Sequence, residues 1–282
     1  ILNFNLFIKK KKKVALVLGG GAARGLAHIG VIKALEEHNI SFDYVVGTSV
    51  GSLVGAFYAA GLTSAEMIEY AKTIKTKDIK SGLIPFVPSK TDGIKNVVVN
   101  ALGNIDITDL KKHYCAVAVD VKSAREVHFV KGNLAEIVAA SCAVPGVFLP
   151  VEYEDYVLYD GGLSNNLPSN VPKIVFGCDA VIAVDVNSTR GYGTNSTKYI
   201  DTIMASIRIM MKSNSLKGYL NSDLIIQPDL KRFKSTKLNN IDEMIMEGYN
   251  ATIFQMEKIK NILNGKNKEK KIKKIKVNKR MV

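Results

Sequence analysis

Short β-branched runs ending in glycine or aspartate recur along this chain, and apolar residues at three- and four-residue spacing fill the intervals between them. The runs at 14–18, 44–46, 114–121, 127–130, 156–159, 181–186 and 224–226 read as strands. Leu26, Ile29, Ile32 and Leu35 mark one helix face. A second helix follows Ser49. Ser64 caps a third from Ala65 to about Ile74, and 133–143, 198–217 and 241–262 also carry helical periodicity. Strands alternating with helices predict an α/β protein, three layers (α/β/α) around a largely parallel central sheet. No repeat and no linker breaks the pattern. One domain over 14–263 is therefore expected, between an apolar, basic tail at 1–13 and a basic tail at 264–282. Two stretches take no assignment. Leu83-Ile-Pro-Phe-Val-Pro88, within 77–93, suits either a lid or a loop packed on the core, and 188–198 is rich in Gly, Asn and Thr.

One junction carries chemistry. The run Asp43-Tyr-Val-Val46 enters Gly47-Thr-Ser-Val-Gly51 and then a helix. That strand-to-helix frame is what turns the common G-x-S-x-G pattern into a nucleophile elbow. Gly47 and Gly51 let the backbone turn sharply, which presents the Ser49 hydroxyl above the sheet. The N–H groups of Ser49 and Val50 then face a helix N-terminus, where negative charge is favoured. The window from Asp43 to Glu66 contains no charge, but its glycines, serines and threonines exclude a membrane span.

A second signal lies upstream. The first strand runs into Gly19-Gly-Gly-Ala-Ala-Arg-Gly25 and a helix, which is an anion site in general terms. A P-loop would need Lys-Ser/Thr where Leu26-Ala27 stands, and a dinucleotide site would need an acid ending the second strand. An oxyanion hole fits better. The amides of Gly20, Gly21 and Ala22 are its expected donors, with Arg24 and Gly25 completing the loop.

A serine nucleophile needs a base. Of His28, His38, His113 and His128, only the last two follow Ser49, and the final 154 residues hold none, so the usual late histidine is missing. Asp120 with His128 is a formal alternative, although His128 reads as a strand-face residue; His28, three residues after the Gly-rich loop, could approach the site, although it reads as a helix-face residue. The base is then a carboxylate. Asp120, Asp160 and Asp185 each end an apolar run, and spacing does not choose among them. Asp160 is distinguished by Gly161 and Gly162, which allow another loop to approach its backbone.

These three motifs, in this order, resemble those of the patatin-like phospholipases, a family of lipid acyl hydrolases. Gly20-Gly-Ala-Ala-Arg-Gly25 is similar to the family's oxyanion loop, Gly47–Gly51 to its elbow and Asp160-Gly-Gly162 to its catalytic-aspartate motif. Ala140-Ser-Cys-Ala-Val-Pro-Gly-Val-Phe148 is similar to the segment preceding that aspartate. The resemblance spans about 14–230, and Ala22 departs from it where glycine is common. It implies a patatin-like fold and a Ser49–Asp160 dyad that works through an acyl-enzyme, with no histidine, metal or cofactor. The expected substrate is a lipid or other carboxylic ester. Arg24 either meets a lipid phosphate or fixes the loop. An acyltransferase using the same dyad and an idle lipid-binding or regulatory protein are the alternative readings.

Charge adds one expectation. The net charge is +13. Five lysines at 9–13, and nine cations against Glu269 beyond residue 264, account for all of it, so the body carries no basic bias. That argues against nucleic acid and suits solvated tails, or tails that lie on anionic lipid at about 1 kcal/mol per basic residue. Ile1–Ile8 precedes its lysines, the reverse of a secretory signal, so a cytoplasmic location is expected, with peripheral membrane association as the option if the basic tails lie on lipid. Cys115, Cys142 and Cys178 have no C-x-x-C spacing and read as buried free thiols. Oligomeric state leaves no trace in the sequence.

Overall fold

The structure, a computed structural model, describes residues 12–79, 88–188, 197–233, 238 and 240–265. Most of the two tails, Leu83–Val87 and most of 188–198 lie outside the described residues. The strands are β1 (Val14–Leu18), β2 (Tyr44–Thr48), β3 (His113–Asp120), β4 (Arg125–Phe129), β5 (Val151–Tyr153), β6 (Tyr156–Asp160), β7 (Ala180–Val184) and β8 (Leu224–Ile226). The helices are α1 (Leu26–Glu37), α2 (Val50–Ala60), α3 (Ser64–Thr73), α4 (Thr76–Ile79), α5 (Asp92–Leu102), α6 (Leu134–Ser141), α7 (Gly162–Asn165), α8 (Val171–Phe176), α9 (Tyr199–Asn221) and α10 (Ile241–Leu263).

All eight strands form one mixed sheet. Its parallel block runs β3–β2–β1–β7–β8, while β4, β5 and β6 pair antiparallel. The central strands are buried on both sides, which explains their near-continuous apolar runs. Leu16, Leu18, Val45, Ala116 and Ile182 face the larger core with α1, α2, α3, α5, α6 and α10. Val17, Val46, Cys115, Val117, Val181 and Ala183 face the opposite layer, where Val171 of α8 and Tyr219 of α9 cover them. The expected three-layer α/β/α architecture is therefore observed.

The placement of β6 matters most for the chemistry. A strand has two edges, and Ala116 and Val117 pair with β2 on one and with β4 on the other. β4 keeps its edge through Asp120, so β6, which pairs with Ala118–Asp120, lies on the edge that β2 has just left. β2 and β6 thus approach head to head. Thr48 stands opposite Val117 and Asp160 opposite Ala118.

Several elements differ locally from the expectations. Thr63, not Ser64, caps α3, in a capping box with Glu66; Ser64 is the first helical residue and donates from both its N–H and its hydroxyl to Glu36. β5 and α8 are too short to show a period, whereas α5 was not expected although Ile94, Val97, Val98 and Ala101 follow helical spacing. The three cysteines are free and buried.

Candidate active site

Ser49 adopts φ 56°, ψ −132°, between the end of β2 and the start of α2. A non-glycine residue with positive φ is held there only by its surroundings, at about 1–3 kcal/mol. The flanking glycines do not themselves make the turn. They remove side chains: a Cβ on Gly47 would strike the Gly51 carbonyl, and one on Gly51 would strike the Leu18 carbonyl. The Ser49 amide donates to Ser141 Oγ at 2.9 Å, and that hydroxyl donates to the Val117 carbonyl at 2.7 Å. Ser52 Oγ donates to the Ser49 carbonyl at 2.6 Å. Helix α6 and strand β3 therefore fix the elbow from below, and Ser49 is only 6% exposed.

Asp160 is fully buried. Its Oδ1 accepts the Gly162 N–H at 2.7 Å, while Oδ2 has no hydrogen bond of ordinary geometry. Burial pushes the carboxyl up to about 6, and the Ser49 hydroxyl and the Gly162 N–H pull it back down. The serine hydroxyl thus lies within electrostatic reach of the carboxylate, short of a fully formed hydrogen bond.

The other aspartates sit elsewhere. Asp120 closes its own turn, accepting from Ser123 and from the amides of Lys122 and Val157, and these bonds hold it down at about 2. Asp185 accepts Tyr219 OH at 2.7 Å and the Asn187 N–H at 2.8 Å. His128 pairs with Glu126 on the face of β4. His28 lies near the site but is bound to the Gly19 carbonyl through Nε2 at 2.8 Å. A carbonyl only accepts, so Nε2 carries the proton. Burial lowers His28 to about 4 and keeps it neutral. It pins the loop.

The glycine-rich loop is held from three sides. The Gly20 N–H donates to the Asn166 carbonyl at 3.0 Å, so this amide, an expected oxyanion donor, is already engaged. The Gly20 carbonyl accepts from Asn187 Nδ2 at 2.6 Å and, more weakly, from Asn166 Nδ2 at 3.4 Å. That carbonyl shares a peptide plane with the Gly21 N–H, so gripping one aims the other. The amides of Gly21 and Ala22 make no hydrogen bond among the described residues. A Cβ on Gly20 would meet Asn166 Oδ1 and lie 3.1 Å from Ser49 Cβ, so a side chain there would have to displace Asn166. Gly25 fits against Val50 of the elbow helix. The buried Arg24 donates from Nε (3.0 Å) and Nη2 (2.8 Å) to the Phe233 carbonyl, fixing the loop to the segment before α10. Gly161 packs on the Val117 carbonyl and Gly162 beside Met211 and Asn166.

Ser141, Asn166 and Asn187 carry no motif of their own. Ser141 stands in the segment before the aspartate, Asn166 follows Gly162 by four residues and Asn187 follows Asp185 by two. Position after a catalytic-type loop was the only available signal for the two asparagines.

Comparison with known proteins gives this arrangement a family. The family model for patatin-like phospholipase matches residues 16–171, and the chain belongs to that family. An uncharacterised NTE family protein of Mycobacterium bovis is 36% identical over 181 residues, covering 63% of this chain and 50% of the relative. Human patatin-like phospholipase domain-containing protein 6 is 38% identical over 185 residues, 62% of this chain and 13% of that protein. Lysophospholipase NTE1 of Coccidioides immitis is 30% identical over 286 residues, 89% of this chain and 18% of that protein. The chain thus spans half or less of the curated relatives it matches. The solved structure of VipD from Legionella pneumophila shares the fold, with TM-score 0.54 and 15% identity over 88% of this chain and 67% of that one.

Proposed function

We propose that the chain is a serine acyl hydrolase of lipid esters, with Ser49 as nucleophile and Asp160 as base. The observation carrying this reading is the meeting of the Ser49 turn with a fully buried carboxyl whose Oδ2 has no formed hydrogen bond. A relative named as a lysophospholipase points to the same substrate class.

Ser49 Oγ attacks the ester carbonyl carbon as its proton passes to Asp160 Oδ2. The carbonyl electrons move to oxygen, where the Gly21 and Ala22 amides stabilise the charge; one such donor typically lowers the barrier by about 3–4 kcal/mol. Collapse expels the alcohol or lysolipid, which takes the proton back from Asp160. Asp160 then deprotonates a water that attacks the acyl-serine, and returning that proton to Ser49 Oγ frees the fatty acid. A carboxyl at about 6 is a better match to hydroxyl chemistry near neutrality than an ordinary aspartate.

Fatty-acid release from phospholipid and lysophospholipid micelles tests this. Wild-type protein releases acid and leaves the lysolipid or glycerol backbone, whereas Ser49→Ala and Asp160→Asn, folded by circular dichroism, release none. An undiminished rate in either variant would overturn the assignment.

A further inference from the structure

Helix α9 presents two unlike faces. Its inner side lies over the candidate site: Met211 packs on Gly162, Asn214 Nδ2 donates to the Leu163 carbonyl at 2.6 Å, and Ser215 Oγ accepts from Asn166 Nδ2 at 3.3 Å. Met204 approaches Gly146 of the neighbouring loop. Its outer side should be polar in a helix that simply faces water. Instead Ile203, Ile209, Met210, Leu216 and Leu220 are exposed together, Leu216 at 63% and Leu220 at 88%. Their spacing puts them on one side of the helix, in an arc that also carries Thr202, Ser206, Ser213 and Lys217.

We infer that this outer face of α9 docks on an anionic phospholipid surface, lying in the plane of the interface above the acyl-hydrolase site. The charges favour that partner. The helix carries Arg208, Lys212 and Lys217 against a single acid, Asp201; Lys217 is exposed within the apolar arc and Lys212 is exposed at its edge. An apolar face edged by cations is the pattern of an interfacial helix, whose lysine stems lie along apolar surface while their ammonium groups reach the phosphates. No helix among the described residues is long and apolar enough to cross a membrane, which leaves the in-plane orientation. One helix diameter of about 10–12 Å would then separate the headgroups from the Asp160–Asn166 segment. This inference deepens the lipid-hydrolase reading and rests on it for its biological sense, but its readout is binding and not turnover.

The test uses the whole chain with vesicles of phosphatidylcholine alone and of phosphatidylcholine mixed with phosphatidylglycerol. Wild-type protein and Ser49→Ala both cosediment with the mixed vesicles and less with the neutral ones. The combined variant Ile209→Ser, Leu216→Ser, Leu220→Ser partitions roughly tenfold or more weakly, while cleaving a soluble short-chain ester at the wild-type rate. Vesicle binding by a protein that cleaves no ester would leave this surface standing and remove the hydrolase reading. Equal binding by the variant and wild type overturns the inference. So does a wild-type dimer that ignores vesicles and becomes a monomer in the variant, because the stripe would then join two copies of the chain.

Discussion

Asp160 takes the place on the edge of β3 immediately beyond Thr48, so the turn at Ser49 begins where the strand carrying the carboxylate ends. Two strands of opposite direction share one edge, and their meeting point supplies both side chains. No loop has to reach across the sheet to bring the carboxyl to the Ser49 turn.

The proposed role of Asp160 gives activity a definite pH dependence. As a base it must be ionised, and its carboxyl lies at about 6. We expect kcat/KM to rise about tenfold per pH unit below ~6 and to level off above it. A plateau extending to pH 4 would assign the base elsewhere.

The same burial has a stability consequence of opposite sign. The folded-state value lies above the ordinary aspartate value, so the native state binds the extra proton. Asp160 therefore contributes stability below about pH 4 that is lost as pH rises through about 6. Asp160→Asn keeps an oxygen for the Gly162 N–H and removes the buried charge. Thermal unfolding at pH 8 should show this inactive variant more stable than wild type, by on the order of 1–3 kcal/mol, with the gain absent at pH 4.

Backbone strain at Ser49 predicts an ordering among inactive variants. Glycine tolerates φ 56° and alanine does not, so Ser49→Gly should unfold at a higher temperature than Ser49→Ala, by about 1 kcal/mol in stability. Equal melting temperatures would mean that the turn relaxes in the variants.

Loop aiming is tested at Asn187. Replacing it by Leu removes the 2.6 Å bond to the Gly20 carbonyl and lets the Gly21 amide swing. We expect kcat to fall about tenfold or more with KM little changed, since ground-state binding does not use that amide. A rise in KM alone would place Asn187 in substrate binding.

Arg24 distinguishes a loop anchor from a headgroup site. Lysine lacks the planar fork that places two nitrogens on the Phe233 carbonyl, so Arg24→Lys should lower stability by about 1–2 kcal/mol. KM for anionic and zwitterionic lipids should shift alike. A loss confined to anionic substrates would mean that the guanidinium binds phosphate.

The strands and long helices were legible because each has a period or a clean apolar run, and Gly47–Gly51, Gly20–Gly25 and Asp160–Gly162 were legible because tight turns demand particular residues. The register that brings β6 onto the edge of β3 beyond the end of β2 was not, since it depends on pairing among residues far apart in the chain. Nor were the roles of Ser141, Asn166 and Asn187, whose polar groups matter only once folding has placed a backbone amide or carbonyl beside them. Gly20 shows the same limit: composition marked its amide as available, and the fold gives it to Asn166. Apolar α9 was readable as a helix, but not which of its faces would remain outside.

The central claim is that Ser49 is activated by Asp160, and labelling with a fluorophosphonate, located by peptide mass, tests it most directly. The account predicts a single adduct on Ser49, formed at least about a hundredfold more slowly in Asp160→Asn. No adduct on Ser49, or one formed equally fast without the carboxylate, would contradict it.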